Sequence, residues 1–130
     1  ELPGVPVEYV DWCEETEVAS IQCCQIGVMP LLDSPWERGK CGYKLIQYMA
    51  CGLPVVASPI GVNSVIVQEN KNGFLANNEE EWFDILEKLL CDELLRQQMG
   101  HAGRQRVEAE YCVQKTAPRL AYLLKTAGDI

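Results

Sequence analysis

The chain has 130 residues, about one domain's worth, with 19 acids against 11 bases and a net charge of −8. Its 48% hydrophobic and 23% charged content is globular and excludes disorder or a fibre. No apolar run approaches the ~20 residues that span a bilayer, no secretory leader is visible, and the acidic balance argues against a nucleic-acid binder; a cytoplasmic domain without a transmembrane segment is expected.

Residues 5–10 alternate weakly and predict a short strand. Residues 16–24 predict a helix with Val18, Ile21 and Cys24 on one side, behind acids that suit a helix start. Residues 26–31 are an apolar run closed by Pro30, read as a buried strand that ends in a loop over 33–42 with Pro35, Gly39 and Gly42. Residues 43–51 return to helical period, with Leu45, Ile46, Met49 and Ala50 inward and Gly52 as the C-terminal cap.

Residues 53–57 form a second apolar strand with Pro54 near its start. Residues 58–61 turn the chain, 62–67 make a short apolar element, and 70–73 turn again before Phe74 and Leu75. Asn78 with Glu81 three residues on predicts a helix start, followed by a stripe of Trp82, Phe83, Ile85, Leu86, Leu89 and Leu90. Residues 92–125 read as two further helices, with Pro118 bending or interrupting the last. Strands separated by helices predict a parallel α/β sheet. Its carboxyl edge, where such sheets bind ligands, would carry the loops 33–42 and 58–63.

Charge is unevenly spread. Residues 1–37 hold eight acids and no base, whereas 38–68 hold no acid but include Arg38, Lys40 and Lys44. Either an anion is expected there or burial alone empties the window of carboxylates. Gly39, Lys40, Cys41, Gly42, Tyr43 and Lys44 run into a helix, so their amides and cations make a candidate phosphate site. Neither a P-loop nor a dinucleotide fingerprint is present.

The seven cysteines (Cys13, Cys23, Cys24, Cys41, Cys51, Cys91, Cys112) are odd in number and lack a Cys-x-x-Cys pair. They read as free thiols acting as small hydrophobes, and no metal site is expected. Trp82 is expected in the core. Trp36 is a ligand candidate, His101 a helix-surface residue, and Tyr43 and Tyr48 packing residues. Ser58 and Asn63 are candidates for a ligand-facing turn.

Ile26-Gly27-Val28-Met29-Pro30-Leu31, the block from Lys44 through Gln47, Met49-Ala50-Cys51-Gly52-Leu53-Pro54 and Val55-Val56-Ala57 to Ser58, then Gly61-Val62-Asn63 and Asn72-Gly73-Phe74-Leu75-Ala76 resemble group 1 glycosyltransferases. The resemblance runs from about Gly4 to the C-terminus and covers the second half of that family's C-terminal, nucleotide-sugar-binding domain. It implies a partial Rossmann-like, three-layer α/β domain with a parallel sheet, the C-terminal domain of a GT-B fold. The implied reaction moves a sugar from a nucleotide-diphosphate donor, a substrate rather than a cofactor, to an acceptor (glycan, lipid or small molecule) with retention.

The family's Glu-x7-Glu motif maps onto Gly39 and Gln47, so both glutamates are absent. Gln47 can still bond a ribose hydroxyl through its amide, and the stretch Lys40–Tyr43 would face the diphosphate or sugar. Glu37 is a candidate for the lost carboxylate, Arg38 or Lys40 for neutralising diphosphate charge. Val65 departs from relatives that carry glutamate there. The resemblance implies that the acceptor domain, the first strands of this domain and a basic pair for the donor phosphates lie outside these 130 residues. The isolated chain is therefore expected to be inactive and to self-associate, and the whole enzyme to be cytoplasmic or peripheral at the membrane's inner face. The alternatives left open are a non-catalytic nucleotide-binding or interaction module of the same fold and, third, a nucleotide-sugar epimerase.

Overall fold

The computed structural model describes residues 4–128. In chain order it has α1 (Glu14–Gln22), β1 (Gly27–Met29), α2 (Pro35–Arg38), α3 (Tyr43–Ala50), β2 (Val55–Ala57), α4 (Asn63–Ile66), β3 (Gly73–Leu75), α5 (Glu79–Cys91) and α6 (Glu93–Arg106). A π-helical turn (Val107–Tyr111) then leads to α7 (Val113–Gly128). The strands are all parallel in the order β1-β2-β3, with Val56 level with Val28 on one side and Phe74 on the other. This is the expected α/β class.

The sheet divides the core because successive side chains of a strand point to opposite faces. Val55 and Ala57 join Leu45, Met49, Ile66, Val67 and Val107 on one face. Val56 joins Phe74, Ala76, Leu89 and Met99 on the other. Two cores against one sheet make three layers. Each wholly buried Val, Leu or Met contributes about 1.5–3 kcal/mol of transfer free energy, and Val55, Val56, Leu45, Met49 and Leu89 all reach zero exposure.

Sequence signals explain most elements. Gly52, at φ +80°, closes α3 in a Schellman motif: its N–H donates to the Met49 carbonyl and the Leu53 N–H to that of Tyr48, both at 3.0 Å. Asn78 caps α5 by accepting from the Glu81 N–H at 2.9 Å, and the Glu81 carboxylate accepts in return from the Asn78 and Asn77 amides.

Several expectations need correction. Residues 5–10 are not a strand: among the described residues they pair with none, and their alternating side chains stay exposed. β1 is an edge strand, not a buried one. Helices α5 and α6 pack on β2 and β3 but leave Val28 44% exposed. The loop 33–42 contains α2, whose signal is the run Ser34-Pro35-Trp36-Glu37: the Ser34 hydroxyl accepts from the Glu37 N–H at 3.2 Å and Pro35 takes the first turn. Phe83 and Leu90 are exposed, since the buried stripe of α5 is Trp82, Ile85, Leu86 and Leu89 at i, i+3, i+4 and i+7. Pro118 lies within a continuous α7, where it forfeits one early hydrogen bond.

Helix α6 ties the two cores together, with Met99 in one and the following Val107 in the other. It crosses the carboxyl end of α3 at two glycines. A Cβ on Gly100 would collide with the Gly52 carbonyl oxygen, and one on Gly103 would sit 3.0 Å from the Met49 Cγ. Gly100→Ala is therefore expected to lower stability by about 1–3 kcal/mol through overpacking, read as a reduced urea midpoint at unchanged slope. An unchanged midpoint would show that the crossing is not tight.

Candidate functional site

At the carboxyl edge of the sheet the loops after β1 and β2 are stitched together. The Ser58 N–H donates to the Met29 carbonyl at 3.2 Å, and the Ser58 hydroxyl accepts from the Leu31 N–H at 2.9 Å. The Asn63 amide donates to the Ser58 carbonyl at 3.1 Å. Both side chains are buried, Ser58 at 7% and Asn63 at 1% exposure, and their hydrogen bonds fix the loops.

Two glycines set the approach of these loops. Gly61 sits at φ +55°, and a Cβ there would lie 2.6 Å from the Arg38 carbonyl oxygen. Gly42, at φ +68°, is packed beneath the Ile66 side chain and opens α3. Its carbonyl accepts from the Leu45 and Ile46 N–H groups at 3.0 and 3.3 Å. The first turn of α3 thus presents its amides and the positive end of its dipole at the sheet edge.

The cations of the acid-free window do not stand alone. Arg38 grips Asp33 with two hydrogen bonds, Nε at 2.6 Å and Nη2 at 3.0 Å. The Lys40 ammonium lies 2.7 Å from Glu37, and Lys44 lies 3.8 Å from Glu17 on α1. Carboxylates absent from 38–68 in sequence return to it in space, so Glu37 is engaged by Lys40. Gly39 caps α2, donating to the Trp36 carbonyl at 3.1 Å. Cys41 and Tyr43 are exposed, and Tyr43 is not a packing residue. Trp36, 80% exposed, borders a shallow pocket with Pro35, Gly39 and Lys40.

Gln47 faces α1 from the second turn of α3. It is half-buried, and its carbonyl oxygen is buried with no hydrogen-bond partner. Beside it opens a cleft of about 280 Å³ between α1 and α3, lined by Val10, Asp11, Trp12, Cys13, Thr16, Glu17, Ser20, Ile21, Lys44 and Tyr48. Sequence reasoning missed this cleft and its Glu17. Their only signal was the acid-rich flank preceding the acid-free window. Hydrogen bonding from Gln47, with lesser contributions from Trp12 and Lys44, holds the Glu17 carboxyl below its ordinary range against a smaller opposing effect of desolvation.

The remaining candidates fall outside the site. His101 is exposed on α6 and Trp82 half-buried on α5. Five cysteines are exposed and two half-buried, so they are not the core hydrophobes expected. Burial pushes the Cys51 thiol up. Among the described residues no cluster of His, Cys, Asp and Glu could hold a metal ion, and no helix is long and apolar enough to cross a membrane.

A family model described as Glycosyl transferases group 1 matches residues 3–92, more than half of the chain. Among curated proteins, a D-inositol 3-phosphate glycosyltransferase of Corynebacterium urealyticum is 30% identical over 114 residues, covering 86% of this chain and 26% of the relative. That of Paenarthrobacter aurescens is 28% identical over 117 residues, covering 88% and 25%. The chain thus spans about a quarter of the length of these relatives. Of solved structures, sucrose-phosphate synthase from Thermosynechococcus elongatus superposes with a TM-score of 0.63 at 26% identity, over 65% of this chain and 22% of that one. The C-terminal domain of a group 1 family glycosyl transferase from Francisella tularensis gives 0.65 at 21%, over 82% and 53%. An Anabaena protein solved in complex with UDP gives 0.67 at 18%, over 82% and 29%. The fold is the one expected for the C-terminal domain of a GT-B glycosyltransferase.

The Arg38 clamp holds the Asp33 carboxyl below its ordinary value through a direct hydrogen bond, with burial opposing. A depressed carboxylate stabilises the loop above its unfolded-state value, about 3.9, and that stabilisation is lost as pH falls through the lower folded-state value. The Asp33 carboxyl carbon, followed by NMR, should titrate below the ordinary range and return towards it in Arg38→Gln. An identical midpoint in both proteins would mean that the clamp does not persist in solution.

Proposed function

The chain belongs to the group 1 glycosyl transferases, and on that premise we propose that it forms part of the site for a nucleotide-diphosphate-sugar donor. The whole protein passes the sugar to an acceptor with retention at the anomeric carbon. This chain is the second half of the C-terminal, nucleotide-sugar-binding domain. The observation that carries the reading is the placement of the Gly42-opened start of α3 at the carboxyl edge of a parallel sheet, between loops that meet at Ser58. Such edges are where open α/β sheets hold ligands, and helix starts receive phosphates. The likeness to a protein solved with UDP accords with this.

In this reading the residues 39–43 pass their backbone along the diphosphate, and Gly42 allows the close approach. Lys44, 54% exposed, neutralises phosphate charge. Ser58 and Asn63 hold the loops in register. Gln47 faces the nucleoside side, while Arg38, Glu37 and Trp36 border the sugar end. Transfer needs donor and acceptor held together in a water-poor cleft, so these 130 residues alone turn nothing over and bind the donor weakly at best. The open edge of β1 and the exposed Leu120, Leu123 and Leu124 of α7 supply surface for self-association.

The reading is tested by titrating the complete protein with uridine, guanosine and adenosine diphosphates and their sugars in a calorimeter. One nucleotide series is expected to bind, with affinity falling as salt rises. Lys44→Ala should weaken the diphosphates about tenfold or more, whereas Lys115→Ala on α7 should not. Absence of binding by any nucleotide would overturn the reading in favour of a non-catalytic module. Product configuration, read by proton NMR of the anomeric coupling, decides retention.

A further inference from the structure

A second polar cavity, at the end of α6, shares no residue with the proposed donor site. It holds about 230 Å³ between the last turn of α6, the π-helical turn and the loop joining α4 to β3. Gln68 and Lys71 line it from the loop, and Gln105, Arg106 and Glu110 from the helical side. Sugar transfer makes no use of these groups.

Arg106 is the anchor. Its side chain is only 11% exposed, and its guanidinium lies 5.8 Å from the centre of the Tyr111 ring. Nη2 donates to the Val65 carbonyl at 3.0 Å and to the Tyr111 hydroxyl at 3.5 Å. Nε is buried and has no partner. Nε and Nη2 form one edge of the planar group, the edge with which Arg38 grips both oxygens of Asp33. At Arg106 that edge is half used. The nearest carboxylate, Glu110, stands 3.4 Å from Nη2 and is half exposed, beyond the about 2.7–2.9 Å of a charge-assisted hydrogen bond.

We propose that this cavity binds a phosphate dianion, free or as a small phosphomonoester, which displaces Glu110 and is held jointly by Arg106 and Lys71. A phosphate in this position takes over the Nη2 contact and brings a second oxygen to Nε. A buried N–H without an acceptor is costly, and that oxygen removes the cost.

Charge selects phosphate over a carboxylate. Among the described residues Lys71 forms no ion pair, so two cations face the cavity once Glu110 turns out. A phosphomonoester carries a charge close to −2 near pH 7 and matches both, whereas a monocarboxylate matches one. The site is also preformed. Asn72, wholly buried, accepts from the Gln68 N–H at 2.8 Å and donates to the Ile66 carbonyl at 3.3 Å, which fixes the loop bearing Lys71. On the other wall the Cys112 N–H donates to the Val107 carbonyl, five residues back, at 2.9 Å. Such π-helical turns are frequent at functional sites.

The test is calorimetric titration of the complete protein with inorganic phosphate, glycerol 3-phosphate and acetate. Lys44→Ala is present throughout to weaken phosphate binding at the donor site. At least one of the two phosphates should bind about tenfold more tightly than acetate. Lys71→Ala should weaken that phosphate about tenfold. Glu110→Gln should tighten it about three- to fivefold, because a competing carboxylate is gone. Both residues are exposed, so neither change should move thermal unfolding. Arg106 is left intact because its bond to Val65 also serves the fold. The tighter of the two phosphates identifies the ligand as free phosphate or a monoester, and either result supports the site. Absence of phosphate binding, acetate binding as tightly as phosphate, or unchanged affinity in either variant would overturn it. None of these outcomes bears on the donor-site reading.

Discussion

Everything at the candidate site hangs on β2. Its three residues are wholly buried, and among the described residues it is the only strand with a partner on each side. Its alternation sends Val55 and Ala57 into the core beneath α3 and Val56 into the core beneath α5. The same strand fixes the loop geometry, because its next residue, Ser58, bonds both Met29 and Leu31 across the edge of β1. A change of register by one residue would exchange the two cores and also move Ser58 away from its partners. Packing and site construction are thus one constraint.

That constraint acts at both ends of the strand. At the amino end, Gly52 closes α3 and its carbonyl receives the flank of α6 at Gly100. At the carboxyl end, Gly42 opens α3 under Ile66. Helix α3 is thereby held at both termini by glycine contacts that a side chain would disrupt, and its inner face is filled by Leu45 and Met49. The helix that the proposed donor site needs to be rigid is one the fold holds at both ends. By contrast, α1 buries no residue, so the face of the cleft opposite α3 is the more adaptable one.

Much of this was legible in the sequence, and the failures have distinct physical causes. Hydrophobic period located β2, α3 and α5 because each buries a full stripe, and the Gly52 and Asn78 caps follow local chemistry. Helix α2 was missed although Ser34, Pro35 and Glu37 carry its start signal, since its four residues leave no room for a periodic stripe. Phe83 and Leu90 were placed inside because they are apolar, but they lie one position off the stripe. Residues 5–10 show that alternation alone does not make a strand: a strand exists only where a neighbour takes its hydrogen bonds, which one segment of sequence does not disclose.

The charge pattern reads differently along the chain and in space. A stretch without acids looks like an anion site when charges are counted along the chain, yet Asp33, Glu37 and Glu17 each return to one of its three cations. These pairs are exposed and worth little individually, so they do not close the site to a phosphate, whose charge exceeds that of one carboxylate. On the proposed reading they convert a simple positive patch into an exchange site, in which a ligand competes with the chain's own carboxylates for the same cations.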